Sequence, residues 1–165
     1  MTDNATAFEV KEIKITAQDI PELTAADIPA KRFLPAEFPG TNGKLQDKPG
    51  ALDGKAVWGK RWYNVMKLPV PANAKELYYY VHAVKDSDRP VDINLLCESQ
   101  RAASGKLEGA PNTWQWVKIG PVGAAAIYPD FFLNFGGDAD TQIWVDQVVL
   151  STDGNLPEAA LTNAE

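Results

Sequence analysis

Tryptophan and tyrosine are the residue types whose number and spacing point to a chemistry in this 165-residue sequence. A flat ring can stack on the C–H face of a sugar at little conformational cost, while Asn, Asp, Arg or Gln side chains bind the hydroxyls around it. The same rings also fill the cores of β-sandwiches. All ten rings lie between positions 58 and 144: Trp58, Trp62, Tyr63, Tyr78, Tyr79, Tyr80, Trp114, Trp116, Tyr128 and Trp144.

Local sequence divides the tryptophans into two groups. Trp116 and Trp144 lie inside apolar runs, so we predict that they belong to the core. Trp58 and Trp62 flank the cations Lys60 and Arg61, and Trp114 directly follows the loop Pro111-Asn112-Thr113. These three rings are therefore the candidates for partly exposed sugar platforms, with Arg61 and Asn112 as polar partners.

Alternation is clearest in the run Leu77-Tyr78-Tyr79-Tyr80-Val81-His82-Ala83. Side chains of a strand alternate between its two faces. We predict that Leu77 and the other odd-numbered residues face the core, and that Tyr78, Tyr80 and His82 share the opposite face.

Few residues are available for catalysis or for metal binding by thiolates and imidazoles. His82 and Cys97 are the only histidine and cysteine in the sequence. A disulfide within the chain and multi-thiolate zinc sites are therefore excluded. Cys97, in an apolar strand, is predicted to be a small buried residue, and a lone strand histidine is more often structural than a base.

A carboxylate pair could hydrolyse a glycosidic bond, and three acidic residues are candidates: Glu98, Asp130 and Asp146. Nothing in the sequence brings two of them together at the separation this chemistry needs. We predict a protein that is not an enzyme and keep a polysaccharide hydrolase or lyase as the weaker alternative.

Charge and hydropathy exclude further classes of function. Sixteen basic and 22 acidic residues give a net charge of −6. A polyanionic backbone gains no net attraction from such a chain, so nucleic acid is not predicted as a partner. No apolar run reaches the roughly 20 residues of a membrane span. The first fifteen residues do not form a secretory signal, which predicts an intracellular protein or a mature segment.

The length and the run of elements predict a single domain over residues 1–165. A first strand is expected over Phe8–Ile15, within a β-sandwich that spans residues 8–153. Residues 16–55 carry five prolines and four glycines, which predicts a long ordered connection with one helical turn near Ala25. Residues 154–165 are predicted to be a polar, solvent-exposed tail.

Strand after strand follows Lys55, with no helix between them. Such spacing predicts an all-β fold, an antiparallel β-sandwich or jelly roll, because parallel pairs need long crossovers. The predicted strands are 56–68, 77–84, 91–97, 114–119, 127–135 and 142–150. The polar turn at residues 85–90 predicts a hairpin between the second and third of these.

The closing half of the chain resembles the galactose-binding-like jelly-roll carbohydrate-binding modules. The residues that carry the resemblance are Thr113-Trp114-Gln115-Trp116-Val117-Lys118-Ile119-Gly120, Phe131–Phe135, and Trp144-Val145-Asp146-Gln147-Val148-Val149-Leu150. It covers about residues 55–153. The resemblance implies a sugar held at loops on one end of the sandwich by Trp114, with Asn112 beside it, and by Trp58 or Trp62.

The resemblance also implies a structural calcium ion. The matching carboxylates are Glu9 or Glu12, from the first strand, and Asp146, from the last. Calcium takes six to eight oxygen ligands, so carbonyls or water would have to complete the site. The alternative for Asp146 is an acid hydrogen-bonded to a neighbouring backbone group.

These observations predict a non-catalytic carbohydrate-binding module that targets a polysaccharide or oligosaccharide by aromatic stacking. The resemblance implies an extracellular or cell-surface location and an attached catalytic domain. Binding at the loop end and binding on an open sheet face both remain open. The main alternative is a structural or protein-interaction β-sandwich subunit of a surface assembly, in which the rings fill the core.

Overall fold

The fold is seen in a computed structural model, which describes residues 30–71, 76–98, 100–122 and 130–164. The predicted strand Phe8–Ile15, the predicted turn near Ala25, and Glu9 and Glu12 lie outside these residues. No helix in the described ranges is long and apolar enough to cross a membrane.

Strands dominate the described residues. In chain order they are β1 Lys31–Phe33, β2 Lys44–Asp47, β3 Lys55–Gly59, β4 Asn64–Pro69, β5 Leu77–Lys85, β6 Val91–Cys97, β7 Gln100–Leu107, β8 Gln115–Val122, β9 Asp130–Gly137 and β10 Ile143–Ser151. A 3₁₀ turn over Leu52–Gly54 precedes β3, and a short helix α1 covers Glu158–Thr162.

The strands form two antiparallel sheets. The smaller sheet has the order β4-β9-β6-β7, and the larger has the order β2-β3-β10-β5-β8, with β1 also paired to β10. Pairing is antiparallel throughout these ladders. The prediction of an antiparallel jelly-roll sandwich is confirmed.

The core lies between the inner faces of the two sheets. In β5 the side chains of Leu77, Tyr79 and Val81 are fully buried in it, as the alternation predicts. Phe131, Leu133 and Phe135 of β9 face them from the smaller sheet. Cys97 is 8% exposed in the same cluster, which agrees with its prediction as a small buried residue.

Residues 56–68 form two strands, whereas the sequence predicts one. Lys55–Gly59 belongs to the larger sheet and Asn64–Pro69 to the smaller one. The break occurs at Trp62, which has φ 74° and donates its backbone N–H to Phe135 O at 2.8 Å. A positive φ ends the extended conformation, so the chain crosses here from one sheet to the other.

The hairpin predicted at residues 85–90 is wrong for a similar reason. β5 pairs with β10 and β8, whereas β6 pairs with β9 and β7, so the turn connects the two sheets. The buried ammonium group of Lys85 holds this crossing by donating to Ser87 O and Gly109 O, each at 2.7 Å. Turn residues predict a reversal of direction but not which sheet the next strand joins.

The last residues do not form the predicted exposed tail. Leu161 of α1 is 3% exposed and Ala164 is 8% exposed, and both pack with Tyr80 and Val149 on the outer face of the larger sheet. Arg32 fastens this segment by donating to Thr162 O at 3.0 Å and to Ala164 O. Short apolar side chains scattered among polar residues do not by themselves predict this packing.

Three short or polar strands are missing from the sequence prediction. β1 and β2 lie in the proline-rich stretch, and β7 has the sequence Gln-Arg-Ala-Ala-Ser-Gly-Lys-Leu. Such residues have low β-propensity, and edge strands need little apolar sequence because one side faces solvent.

Candidate functional site

One end of the sandwich carries four loops, which we call the loop end: residues 60–63, 86–90, 108–114 and 138–142. The loops are joined to one another by backbone and side-chain contacts. Asn112 N donates to Lys85 O at 2.8 Å, and Asp86 N donates to Gln142 O at 3.1 Å. The ion pair Arg89–Asp138, at 3.2 Å, joins the loops 86–90 and 138–142 a second time.

Trp62 is the exposed ring of the loop end. It is 64% exposed, and the Arg61 guanidinium lies 5.5 Å from its ring centroid. A bulky residue with a positive φ is a strained backbone position, which a structure retains where the surroundings or the function require it. The backbone hydrogen bond to Phe135 O thus holds Trp62 at a position where its indole is exposed to solvent.

Trp58 of β3 is half-buried and held in one orientation. Its indole Nε1 donates to Gln142 Oε1 at 2.7 Å, and its ring meets Tyr63 edge to face at 5.5 Å. Gln142 in turn donates to the carboxylate of Asp86 at 3.0 Å. The Trp58 ring therefore has a fixed orientation next to the loops.

Trp114 is also half-buried, immediately before β8. It stacks on His82 with centroids 4.9 Å apart and planes 15° apart, and its Nε1 donates to Pro49 O at 3.0 Å. A side chain at Gly50 would clash with the indole. One face and one edge of this ring are therefore occupied. Asn112 is exposed, with φ 61°.

The predicted site residues form two groups. Trp58, Arg61 and Trp62 lie together on β3 and the following loop, whereas Asn112 and Trp114 precede β8. The strands β10 and β5 separate β3 from β8, so the two groups are roughly 14 Å apart at the usual spacing of neighbouring strands.

Trp144 joins the two groups; it is buried, as the sequence predicts, but in a small cluster separate from the core between the sheets. It lies opposite Trp58 in the β3–β10 ladder, on the outer face of the larger sheet, in one apolar cluster with Trp58 and Trp114. Lys48 Nζ lies 3.5 Å from its ring centroid, and Gln46 Oε1 accepts its indole N–H at 3.0 Å. The segment 46–52 thus covers this ring, which leaves it 9% exposed. Trp116 lies on the same outer face, half-buried against His82. Strand pairing alone reveals these neighbours, because Trp58 and Trp144 are 86 positions apart.

Asp146 lies in a bulge of β10 and is 2% exposed. Its carboxylate accepts hydrogen bonds from Leu52 N at 2.7 Å and from His82 Nδ1 at 2.8 Å. His82 lies between the rings of Trp114 and Trp116, with centroid distances of 4.9 and 4.6 Å. The imidazole is therefore a structural link between Asp146 and Trp114.

Among the described residues, the hydrogen-bond partners of the two carboxylate oxygens of Asp146 are N–H donors, one for each oxygen. Within the part of the chain that the structure describes, no group of three or more His, Cys, Asp or Glu side chains could hold a metal ion. Glu9 and Glu12 lie outside that part. Structural calcium remains a prediction that depends on those two residues.

The three carboxylates considered for hydrolysis do not lie together. Glu98 and Asp130 lie near Cys97 at the end of the smaller sheet opposite the loop end, and Asp146 is on the outer face of the larger sheet.

Two side chains have pKa values shifted by their surroundings. Burial raises the pKa of the Cys97 thiol, and the charges of Glu98 and Asp130 raise it further. At the loop end, the Thr141 hydroxyl lowers the pKa of Asp138 by donating a hydrogen bond to it at 2.8 Å, and Arg89 lowers it further.

The outer face of the smaller sheet has a polar row of its own, which we call the asparagine row. Asn64, Asn134 and Asn94 lie on three neighbouring strands, with Ser104 on the fourth. Asn134 Nδ2 donates to Asn64 Oδ1 at 2.7 Å. Asn94 is 4% exposed, and its Oδ1 has no hydrogen-bond partner among the residues that the structure describes. A buried acceptor without a donor costs free energy, so this face is a second candidate for a ligand.

Solved structures with a similar fold include carbohydrate-binding modules. CsCBM6-3 from Clostridium stercorarium, solved in complex with cellobiose, matches 80% of this chain and 98% of its own length, with a TM-score of 0.55 and 15% identity. A β-1,3-glucan-binding CBM6 from Bacillus halodurans matches 79% of this chain and 98% of its own, with a TM-score of 0.52 and 16% identity. The chain shares the jelly-roll fold of these carbohydrate-binding modules. No family model and no curated protein sequence matches it.

The same jelly-roll fold also occurs as part of an enzyme. A family 43 arabinoxylan arabinofuranohydrolase from Bacillus subtilis, solved with cellotetraose, matches 80% of this chain with a TM-score of 0.57 and 12% identity. The match covers 28% of that enzyme. At these identities the likeness shows the fold, and function has to be argued from the site itself.

Proposed function

We propose that this protein is a non-catalytic carbohydrate-binding module that binds a polysaccharide at the loop end. The observation that carries the proposal is Trp62, an indole held in contact with solvent by a strained backbone. Strained backbone positions of non-glycine residues cluster at ligand-binding and active sites, which makes this exposed ring the candidate for contact with a ligand. The jelly-roll fold supports the proposal, because carbohydrate-binding modules with the same fold are known.

The loop end supplies the polar groups that a sugar needs beside a ring. The Arg61 guanidinium lies next to Trp62, and the Gln142 side chain is fixed between Trp58 and Asp86. Guanidinium and amide groups in fixed orientations can bind ring hydroxyls with little loss of rotamer entropy. Asn112 is a more distant partner for a longer chain.

The covered rings have a supporting role in this proposal. Trp58, Trp144 and Trp114 have their indole N–H groups bonded within the protein. We assign contact with the sugar mainly to Trp62 and the exposed edge of Trp58. Trp114 then contributes to the rigidity of the loop end more than to stacking.

The proposal also includes the location of the protein and a catalytic domain attached to it. A module of this kind works by keeping an attached catalytic domain near its polymer, outside the cell or at its surface. Affinity of the isolated module is expected to be micromolar to millimolar, about −8 to −4 kcal/mol. A catalytic role is not supported, since Glu98 and Asp130 lie far from Trp62.

The test is a comparison of wild type with Trp62→Ala and Trp62→Tyr on a panel of soluble polysaccharides, by affinity electrophoresis and tryptophan fluorescence. Trp62→Ala should weaken binding about tenfold or more, as truncation of a dominant aromatic contact does. Trp62→Tyr keeps a ring and should retain most of the affinity. Circular dichroism checks that both variants fold.

The control variant is Asn94→Ala, which changes the asparagine row and leaves the loop end intact. Binding that survives Asn94→Ala and is lost in Trp62→Ala supports the loop end. The reverse result would place the sugar on the open sheet face. Failure of the wild type to bind any polysaccharide in the panel would overturn the proposed function.

A further inference from the structure

Asp86 and Gln142 form a closed hydrogen-bonded pair at the loop end. Asp86 N donates to Gln142 O at 3.1 Å. In the opposite direction, Gln142 N donates to Asp86 Oδ1 at 2.9 Å, and Gln142 Nε2 donates to Asp86 Oδ2 at 3.0 Å. Both residues are nevertheless exposed. The pair is therefore a polar group of fixed geometry in contact with solvent.

This pair also determines the orientation of the Trp58 ring. Trp58 Nε1 donates to Gln142 Oε1 at 2.7 Å. An indole N–H can only donate and a carboxylate can only accept, so the Gln142 amide must direct its oxygen to Trp58 and its nitrogen to Asp86. Asp86 thus acts through Gln142 on Trp58, whose exposed edge we assign to contact with the sugar.

Hydrogen-bonding capacity remains on both members of the pair. An amide NH₂ group has two N–H donors, and Gln142 uses one of them for Asp86. A carboxylate has about four lone-pair sites, and the described contacts of Asp86 occupy two. None of the ion pairs between described residues includes Asp86. A donor, Nε2, and a strong acceptor, Oδ2, therefore lie side by side, 3.0 Å apart.

We propose that Asp86 and Gln142 bind two adjacent hydroxyl groups of an interior sugar unit, so that the protein prefers a polysaccharide whose units keep such a pair free. Gln142 Nε2 donates to one hydroxyl oxygen, and the neighbouring hydroxyl donates to the Asp86 carboxylate. Oxygens on neighbouring ring carbons have a separation similar to that of Nε2 and Oδ2, which lets the two hydrogen bonds run in parallel. An aromatic ring supplies stacking area, whereas a fixed polar pair supplies specificity.

This inference rests on the proposed function, and the wild type alone gives its first test. Cellohexaose is 1,4-linked, so each interior glucose unit keeps adjacent hydroxyls at C2 and C3. Laminarihexaose is 1,3-linked, and its interior units have no adjacent free pair. We expect cellohexaose to bind at least about tenfold more tightly in isothermal titration calorimetry, because a unit without the pair leaves a hydrogen bond unmade. Equal affinity for the two hexasaccharides overturns the inference.

The variant Asp86→Asn breaks the pair. An amide has one oxygen, which cannot accept from both Gln142 N and Gln142 Nε2, so we expect a loss of about tenfold in affinity for cellohexaose.

The double variant Asp86→Asn/Gln142→Glu exchanges the two groups and should restore binding. The new amide accepts from the backbone N–H of position 142 and donates to the new carboxylate, which also accepts from Trp58 Nε1. Hydroxyls both donate and accept, so they can follow this exchange. Affinity should return to within about threefold of the wild type.

The matched control is Asp88→Asn, which removes the same charge from the same loop. Asp88 is exposed and takes no part in the contacts of Asp86, Gln142 and Trp58. Its affinity for cellohexaose should equal that of the wild type. Urea unfolding separates recognition from a purely structural role: lower stability of Asp86→Asn with unchanged affinity would mean that the pair only joins two loops, which overturns the inference.

Failure of this inference differs from failure of the proposed function. Binding that depends on Trp62 but is equal in Asp86→Asn and the wild type overturns the inference and leaves the protein a carbohydrate binder. No binding to either hexasaccharide or to any polysaccharide overturns the proposed function as well. The comparison of the two hexasaccharides decides even if Asp86→Asn does not fold.

Discussion

At the scale of single residues, Asp146 connects the outer face of the larger sheet to the segment that covers it. Its buried carboxylate holds both Leu52 N and the His82 ring, and His82 supports Trp114. The sequence analysis left two alternatives for this residue, a calcium ligand and a hydrogen-bonded acid. The described contacts agree with the second.

Asp146→Ala should destabilise the protein by about 2–4 kcal/mol, because it leaves a buried backbone N–H and a largely buried imidazole N–H without an acceptor. Urea unfolding followed by tryptophan fluorescence measures the change. Asp47→Ala is the control: that carboxylate is on the surface, and its loss should change stability by less than about 1 kcal/mol. A loss in Asp146→Ala no larger than in the control would contradict the structural role.

The same unfolding experiment, repeated with calcium and with a chelator, tests the calcium prediction. Calcium that stabilises wild type but not Asp146→Ala would show that Asp146 and residues outside the described part form a metal site. Equal wild-type stability in both solutions would remove calcium from this protein.

At the scale of elements, the residues that follow β10 complete the larger sheet. Leu161 and Ala164 cover Tyr80 and Val149, and Arg32 of β1 fixes the segment through its carbonyl groups. Tyr80 contributes as well, since its hydroxyl donates to Asp153 O at 2.6 Å. The short strand β1 is therefore held in place partly by the residues around α1.

Leu161→Ala should lower the free energy of unfolding by about 2 kcal/mol, the lower end for truncating a buried leucine, since α1 can relax at the surface. Glu158→Ala, on the exposed side of the same helix, should change it by less than about 0.5 kcal/mol. Thermal and urea unfolding both measure the difference. An unchanged stability in Leu161→Ala would mean that α1 is detached from the sheet in solution.

At the scale of the whole molecule, the sandwich separates its faces by role. The outer face of the larger sheet is covered by the segment 46–52 and by residues 161–164, whereas the loop end presents the exposed ring of Trp62. Among the described residues, the exposed large apolar side chains are Leu45 and Trp62. Such limited apolar exposure does not provide a stable dimer interface.

We therefore predict that the protein remains a monomer across a wide range of concentration and that its tryptophan fluorescence changes on binding polysaccharide. Analytical ultracentrifugation, with and without the bound polymer fragment, measures the mass. Assembly that grows with concentration, without a fluorescence change on adding sugar, would favour the alternative of a structural subunit.

Strand alternation let the sequence determine the fold class and the core face of β5, because a period of two depends only on local residue order. The cations beside Trp58 and Trp62 led the sequence analysis to select Trp58, Arg61 and Trp62, which do lie together because they are neighbours along the chain. The split of residues 56–68 could not be predicted, because it depends on the bond from Trp62 N to a carbonyl in another sheet.

Strand pairing between distant segments decided the features of the structure that local sequence did not predict. The tertiary structure placed Trp144 beside Trp58, brought residues 46–52 over Trp144, and buried Asn94 Oδ1 without a hydrogen-bond donor from any described residue. These features depend on which strands pair and in what register. Composition and spacing determined that this chain is rich in aromatic rings, from which we predict sugar binding, but only the packing of the two sheets decided which of those rings reaches solvent.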